Sequence, residues 1–202
     1  GRRLIIFRRT RRENDQAAAR GEKKGPGEDS DGKTAILLSK SARAQLTTGN
    51  SVRMLLNGEE TFSAITRALR EAREYIHMEY YSIANDKIGN EIKEILIEKV
   101  RSGVRVNLIF DSVGSWNLGA KFVNSLKNAG IRVHSFLPVS FPRLRRELNF
   151  RNHRKIVVID GVIGFMGGLN IGDMYISAES GMGFWRDTHI ELRGPCLILP
   201  KC

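Results

Sequence analysis

The strongest constraint on the fold is the regular alternation of strand-like and helix-like segments from residue 51 to residue 136. Short apolar and β-branched segments alternate with longer segments whose apolar residues recur at helical spacing. The strand-like segments are SVRMLL (51–56), YIHMEYYSI (75–83), VRVNLIF (104–110) and IRVHSF (131–136). The segments with apolar residues at helical spacing are 58–75, 87–103 and 119–130. In the first of them the spacing extends one residue further, to Ile76. The alternation predicts an α/β fold: a mixed, largely parallel sheet flanked by helices on both faces.

Charge and cysteine content limit the classes of partner. The chain of 202 residues carries a formal net charge of +11, which favours phosphate-rich partners, either nucleic acid or an anionic membrane. Cys196 and Cys202 are too few and too close together to frame a disulfide fold, or to form a zinc site with four scattered histidines. We therefore expect a reducing compartment, no bound metal and no cofactor.

Composition divides the chain into three parts. Residues 1–12 (GRRLIIFRRTRR) place a short apolar patch among arginines, a pattern typical of chain just cytoplasmic of a membrane helix, or of a disordered basic tail. Residues 13–33 carry glycine, proline and charge with almost no apolar residues, which predicts a flexible linker. Residues 34–202 are expected to form the folded domain, and no apolar run approaches the roughly 20 residues that span a bilayer.

One stretch, NFRNHRKIVVIDGVIGFMGGLN at residues 149–170, carries the chemistry. Side chains alternate along a strand, so His153 and Lys155 are expected to project from the same face. Asp160 and Gly161 form the Asp-Gly pair typical of a tight hairpin, with VIGFMGG as the returning strand. Asp160 lies seven residues from His153, which does not fit simple alternation. We therefore expect it to orient or stabilise the turn before it transfers any proton.

These residues suit phosphate chemistry. A neutral imidazole at His153 can attack phosphorus, and the ammonium of Lys155 can offset the charge on the non-bridging oxygens. Gly167, Gly168 and Asn170 can add backbone and amide donors to the same oxygens. Such a site needs no metal.

Carboxylates elsewhere are candidate supporting groups. Glu79 lies in an apolar strand and needs a partner, either a site histidine or lysine or a structural arginine. Asp111 ends a strand and is either a ligand-binding residue or an ordinary turn former. Asp187 is expected to brace the site's histidine or lysine, although Asp187, His189 and Glu191 together also fit the solvent-facing side of an edge strand.

The motif resembles that of the phospholipase D superfamily, and most closely the first catalytic half of bacterial cardiolipin synthases. The pattern His-x-Lys-x4-Asp-x6-Gly-Gly-x-Asn runs without a gap, and YIHMEYYSI and WRDTHIELRGP extend the resemblance over about residues 50–195. The resemblance implies that 34–202 is a phospholipase D-like catalytic domain with His153, Lys155 and Asp160 as catalytic residues. It also implies a phosphohistidine intermediate and phosphatidyl transfer between two phosphatidylglycerol molecules, with glycerol released.

In that superfamily two such motifs meet in one site, and this chain carries only one. The second half must then come from the same polypeptide or from a homodimer partner. The predicted partner is an anionic phospholipid membrane on its cytoplasmic side, because residues 137–152 interleave aromatic residues with arginine. Two alternatives are a dimeric phosphodiesterase or nuclease, for which the partner is nucleic acid, and an inactive binding half.

Overall fold

The computed structural model describes residues 6–9, 36–37, 44–137, 151–176 and 183–195. The chain divides into two compact units, and the larger one comprises Arg53–Asp160 and Gly164–Glu191. The smaller unit comprises Gly1–Val52, Gly161–Ile163 and Leu192–Cys202. The linker predicted over 13–33, both cysteines and most of the arginine-rich loop at 137–152 lie outside the described residues.

The smaller unit contains a two-stranded antiparallel sheet. Strand β1 (Ile6–Arg9) pairs with β2 (Ala44–Thr47), with Ile6 opposite Thr47. The sequence analysis assigned no strand to either segment, because four residues are too few for a period-two pattern to stand out. The basic segment at residues 1–12 therefore contains a strand.

Outside that sheet, the described structure contains a seven-stranded sheet, three α-helices and two 3-10 helices, Trp116–Leu118 and Asp173–Tyr175. The strands lie in the order β3-β9-β8-β7-β4-β5-β6. Their bounds are β3 Ser51–Leu56, β4 Tyr75–Tyr80, β5 Arg105–Asp111, β6 Arg132–Phe136, β7 Lys155–Ile159, β8 Ile163–Gly167 and β9 Thr188–Arg193. The helices are α1 Asn57–Glu71, α2 Lys87–Arg101 and α3 Ala120–Asn128. No helix in the described ranges is long and apolar enough to cross a membrane.

Strand directions correct one part of the sequence prediction. The α/β class and the mixed sheet are confirmed, and β4 pairs in parallel with β5, as β5 does with β6. However, β7 runs antiparallel to β4, and antiparallel pairing predominates across the sheet. The expectation of a largely parallel sheet was wrong because β7 and β8 form a hairpin, which needs no crossover helix between its strands.

The three helices form a single layer in the described part of the chain. Right-handed crossovers from β4 through α2 to β5, and from β5 through α3 to β6, place both helices on the same face. Helix α1 packs against α2. This face buries Ile76, Met78 and Tyr80 of β4, whereas the alternate residues of β4 are only half-buried. Helical cover on both faces, as predicted, is thus not seen among the described residues.

Helix α1 ends earlier than its apolar spacing suggested. Its buried face includes Phe62, Ile65 and Leu69, in agreement with the predicted periodicity. The helix stops at Glu71, and Ile76 belongs to β4, where it pairs with Val106 and Ile159. The apolar spacing continued by coincidence, because Ile76 faces the same core from a strand.

The hairpin between β7 and β8 has the geometry expected of Asp-Gly. Asp160 and Gly161 both have positive φ, 51° and 69°, as a tight turn of this kind requires. The carboxylate of Asp160 accepts hydrogen bonds from the backbone N–H groups of Arg73, Glu74 and Tyr75 at 2.8–2.9 Å. Asp160 therefore ties the hairpin to the loop between α1 and β4, in agreement with the turn-stabilising role predicted for it.

Replacing Asp160 is expected to destabilise the fold. Asp160→Ala removes the acceptor of three backbone N–H groups and places a less suitable residue at positive φ, so we expect a loss of about 2–4 kcal/mol in the free energy of unfolding. Asp160→Asn keeps one acceptor oxygen and tolerates the conformation, so we expect about half that loss. Urea unfolding measures both. The control is Val162→Ala at an exposed neighbour, and equal stability of all three variants would contradict the assigned role.

Candidate active site

The candidate site lies at one edge of the seven-stranded sheet, here called the site edge. It is formed by the carboxyl-terminal ends of the parallel strands β4, β5 and β6, where Asp111 is paired with Phe136. Because β7 is antiparallel to β4, its first residue, Lys155, lies beside Tyr80 at the last position of β4. His153 precedes β7 by two residues. The loops that follow the parallel strands therefore surround the His153–Lys155 segment.

His153 and Lys155 come together as predicted, although not by alternation along one strand. The imidazole of His153 is exposed and stacks on the ring of Tyr81, with centroids 4.1 Å apart and planes inclined by 20°. The ammonium of Lys155 donates a hydrogen bond to the carbonyl oxygen of His153 at 2.8 Å and lies 5.3 Å from the centre of the Tyr81 ring. Tyr81 is thus in contact with both residues, and the sequence analysis did not single it out.

The segment that carries His153 is held by two carboxylates. Asp111 is fully buried and accepts a hydrogen bond from the backbone N–H of Asn152 at 3.2 Å, with the guanidinium of Arg151 at 3.8 Å. Glu79 accepts from the side-chain amide of Asn152 at 2.6 Å and pairs with Arg154 at 3.3 Å. Both neighbours of His153 in the chain are therefore fixed.

These contacts decide between the alternatives for Glu79 and Asp111. Glu79 pairs with an arginine and an asparagine, so it supports His153 through the backbone on either side. Asp111 does cap a turn, because it accepts from the N–H groups of Val113 and Gly114 at 2.9 and 3.1 Å. It also reaches Asn152, so one carboxylate joins the end of β5 to the segment before β7.

The glycine pair at the end of β8 is required by side chains from β9. A Cβ atom built on Gly167 would lie 2.3 Å from Nδ1 of His189, and one built on Gly168 would lie 2.5 Å from Oδ2 of Asp187. Both distances are far inside van der Waals contact. The sequence analysis attributed these glycines to the approach of a ligand, whereas the structure gives a second reason, which is the approach of β9.

Burial and the Asp187 carboxylate set the electrostatic environment of Lys155. Burial lowers the pKa of the Lys155 ammonium, and the nearby Asp187 carboxylate partly opposes that shift. His189 is 1% exposed, and burial lowers its pKa to about 4, with Asp187 opposing the shift and Lys155 adding to it. Neither ring nitrogen of His189 has a hydrogen-bond partner among the described residues. His189 is therefore a neutral imidazole packed beneath the site.

The structure excludes the alternative that β9 is an edge strand with a solvent-facing polar side. His189 and Glu191 are 1% and 4% exposed, so they do not lie on a solvent-facing side of an edge strand. Glu191 pairs with Arg53 of β3 at 2.7 Å. Asp187 opposes the lowering of the Lys155 pKa and also accepts a hydrogen bond from the backbone N–H of Thr188 at 2.6 Å. Its bracing role stays a prediction.

Asn170 and Asp160 differ in their relation to the site. Asn170 lies at the site edge, where its side-chain oxygen accepts from the N–H of Ser82 at 3.1 Å and its amide donates to the hydroxyl of Tyr175 at 3.0 Å. It fixes the loop after β4. Asp160 follows the opposite end of β7, roughly 16 Å from Lys155 at the usual rise per residue of a strand. It does not join His153 and Lys155.

Several site residues were missed or undervalued in the sequence. They are Tyr81, Asn152 and His189. Each lies one or two residues from a candidate named from the sequence, but its role depends on contacts between segments far apart in the chain. Within the described ranges, no cluster of three or more histidine, cysteine, aspartate or glutamate side chains is arranged to hold a metal ion.

The buried His189 is expected to make the fold sensitive to acid. Its folded-state pKa of about 4 lies below the ordinary value of 6.5, so between these values only the unfolded chain is protonated there. The free energy of unfolding should therefore fall as the pH decreases through this range, by on the order of 3 kcal/mol from this group. Urea unfolding of the parent and of His189→Phe, at intervals from pH 7 to pH 4.5, measures the effect.

We expect a shallower decline in His189→Phe, because phenylalanine keeps an aromatic ring without a titrating group. Thr188→Val, an exposed and non-titrating change next to it, should follow the parent. Parallel pH profiles for the parent and His189→Phe would show that His189 does not cause the acid sensitivity.

Comparison with known proteins identifies the family. The family model described as "Cardiolipin synthase, PLD-like domain" matches residues 65–186. A cardiolipin synthase of Geobacillus sp. (strain WCH70) is 49% identical over 152 residues, covering 75% of this chain and 30% of the relative. Cardiolipin synthase 2 of Bacillus cereus is 54% identical over 142 residues, covering 70% of this chain and 28% of the relative. The chain thus spans about 30% of the length of these relatives.

Solved structures agree in fold. The phospholipase D family member Nuc from Salmonella typhimurium aligns with a TM-score of 0.51 at 20% identity, covering 72% of this chain and 85% of Nuc. Phosphatidylserine synthase from Haemophilus influenzae aligns with a TM-score of 0.54 at 17% identity, covering 71% of this chain and 33% of that protein. The family model covers more than half of the chain, and the resemblance inferred from the motif is confirmed: the chain belongs to the family of cardiolipin synthases with a phospholipase D-like domain.

Proposed function

We propose that the chain supplies one half of the active site of a phosphatidyltransferase that forms cardiolipin from phosphatidylglycerol. The observation that carries the proposal is the exposed imidazole of His153, stacked on Tyr81, with the ammonium of Lys155 bound to its carbonyl oxygen. The relatives named cardiolipin synthase provide the substrate class. The chain spans less than a third of their length, so the complete enzyme's activity is part of the proposal.

In the first step, a ring nitrogen of His153 attacks the phosphorus of phosphatidylglycerol. A phosphorus–nitrogen bond forms and the bond to the glycerol oxygen breaks, while the histidine of a second motif gives its proton to the departing glycerol. In the second step, the hydroxyl of another phosphatidylglycerol attacks the same phosphorus. The second histidine takes the proton of that hydroxyl, the phosphorus–nitrogen bond breaks, and His153 is released as a neutral imidazole.

The surrounding groups fit this chemistry. Glu79 and Asp111 fix the backbone around His153, and the stack on Tyr81 restricts the ring. The imidazole is therefore already oriented before the reaction begins. The ammonium of Lys155 stabilises the charge that builds on the non-bridging oxygens. The exposed backbone at Gly167 and Gly168 can donate further hydrogen bonds, with Asn170 holding the loop beside them.

The second motif comes from elsewhere in a longer polypeptide or from a two-fold partner copy. A two-fold axis brings identical surfaces together, so it would place a second His153 opposite the first. The enzyme is proposed to work at the cytoplasmic side of the cell membrane, where anionic lipid attracts the basic segment at residues 1–12.

The first measurement is the mass of the chain by sedimentation equilibrium, because it decides which protein is assayed. A dimer is assayed directly with phosphatidylglycerol vesicles. For a monomer, the assay uses a longer polypeptide that carries the second motif. The proposal expects cardiolipin and free glycerol in equal amounts, without a requirement for added metal.

His153→Ala is expected to lower cardiolipin formation by at least about 10³-fold, because it removes the nucleophile. Lys155→Ala is expected to lower it by roughly 10²–10³-fold, with most of the effect on kcat. The control is His134→Ala at an exposed position of β6, which should keep full activity. Release of phosphatidic acid, or cleavage of DNA in the presence of chelator, with no cardiolipin formed would instead favour a phosphodiesterase or nuclease.

A further inference from the structure

The exposed aromatic residues are not spread over the surface. Among the residues whose side chains the structure describes, every exposed phenylalanine and tryptophan lies at the site edge or in the loops beside it. They are Trp116, Phe136, Phe184 and Trp185, with 80%, 39%, 65% and 41% of their surface exposed. We call these four residues the aromatic rim. Large aromatic groups in water are unfavourable, so their concentration around one site points to a binding surface.

Two members of the rim are connected to the site through β5 and β6. Trp116 follows the turn that Asp111 caps, and Gly114 in that turn packs against the carbonyl and ring of Tyr81. Phe136 ends β6 opposite Asp111, and its carbonyl oxygen accepts a hydrogen bond from the N–H of Ser112 at 3.2 Å. Both aromatic side chains therefore emerge from the structure that holds His153.

The other two members lie on the segment before β9. The indole N–H of Trp185 donates to the carboxylate of Asp187 at 3.4 Å, and its ring meets the ring of Tyr175 edge-on, with centroids 5.3 Å apart. Tyr175 in turn accepts from Asn170 at the site edge. Phe184 is adjacent in the chain. Trp185 is thus held in place while part of its ring remains exposed.

Four exposed charges in the described loops and helix starts of the site edge are positive. They are Lys87 at the start of α2, Lys121 at the start of α3, Arg154 next to His153, and Arg186 next to Trp185. Three carboxylates in the same region are less exposed and already bonded: Asp111 to backbone N–H groups, Glu79 to Arg154 and Asp187 to Thr188. Exposed carboxylates are also present at Glu59 and Glu60 in the first turn of α1, and Glu60 is paired with Arg53. The four cations can bind an anionic surface that meets the rim.

We propose that the aromatic rim is a membrane-docking surface, on which Trp116, Phe136, Phe184 and Trp185 enter the interfacial region of an anionic bilayer. Aromatic side chains prefer the boundary between headgroups and acyl chains, and adjacent cations bind anionic headgroups. Docking at this edge places His153 at the level of lipid phosphates. The inference rests on the proposed function, because it names the surface by which the same site reaches a lipid substrate.

The two tryptophans make the proposal directly measurable. The chain contains two tryptophans in all, and both belong to the rim. Titration with vesicles of phosphatidylglycerol and phosphatidylcholine should shift their emission to the blue, and lipids brominated near the headgroup should quench it. The basic segment at residues 1–12 can also hold the chain on anionic vesicles, so binding alone is not the readout. Trp116→Phe and Trp185→Phe assign the signal to each residue in turn.

Trp116→Ser and Phe184→Ser are expected to weaken vesicle partitioning roughly tenfold each, because each removes apolar surface that would leave water. The matched control is Met54→Ser, which changes an exposed apolar residue, 66% accessible, within the edge strand β3 and outside the rim. It should alter partitioning less than about twofold. Both substituted rim residues are largely exposed, so the variants should fold normally, which circular dichroism checks.

Vesicle binding without a blue shift or quenching would overturn the proposal, since the chain would then be held by other segments. A stronger tryptophan response to a single-stranded oligonucleotide than to vesicles would also overturn it in favour of a nucleic-acid surface. The titrations are repeated with His153→Ala, which separates docking from catalysis. If the protein docks on vesicles but forms no cardiolipin, only the proposed function is contradicted. If it is fully active on detergent-dispersed phosphatidylglycerol but does not dock on vesicles, only this inference is contradicted.

Discussion

The arrangement of the site depends on one buried carboxylate. Asp111 ends β5 with no exposed surface, and it accepts hydrogen bonds from Val113, Gly114 and Asn152. A buried carboxylate is costly unless its oxygens are satisfied, so these contacts are strongly favoured once β5 is in the sheet. The turn that Asp111 caps packs against Tyr81, and the backbone that it binds leads to His153. One residue thus couples the aromatic platform to the imidazole stacked on it.

A second constraint is the close packing of β8 and β9. Asp187 and His189 press against the Cα positions of Gly167 and Gly168, which only glycine permits. This approach places a carboxylate and a neutral imidazole near Lys155, where burial lowers the pKa of the ammonium and the carboxylate opposes that shift. The glycine pair is therefore part of the electrostatics of the site as well as of its backbone, because any side chain there would move β9 away from Lys155.

Buried and exposed groups at the site edge have different roles. Buried groups behind it, including Asp111 and His189, fix geometry and charge. Exposed groups around it include the aromatic rim and four cations, which suit an anionic lipid surface. The division follows from burial: a carboxylate can be retained inside the edge only with its partners, whereas the exposed apolar surface of the rim residues gains by leaving water.

Local patterns in the sequence determined much of the fold and the centre of the site. Alternating strand and helix periods predicted the elements from β3 to β6, the Asp-Gly pair predicted the hairpin, and the motif identified His153 and Lys155. These features are local, since each depends on residues close together in the chain. Strand direction was not local: β7 could join β4 in either direction, and only pairing within the sheet decided that it runs antiparallel.

The tertiary structure alone decided which groups surround the histidine. The stack on Tyr81 joins residues 72 positions apart in the sequence, and the contacts of Asp111 and Glu79 with Asn152 join three separate strands or loops. A sequence pattern carries no signal for such pairs because their spacing is arbitrary. Asp160 is the converse case: the motif grouped it with His153, but an extended strand separates the two by its full length, and the fold uses its carboxylate to close a turn.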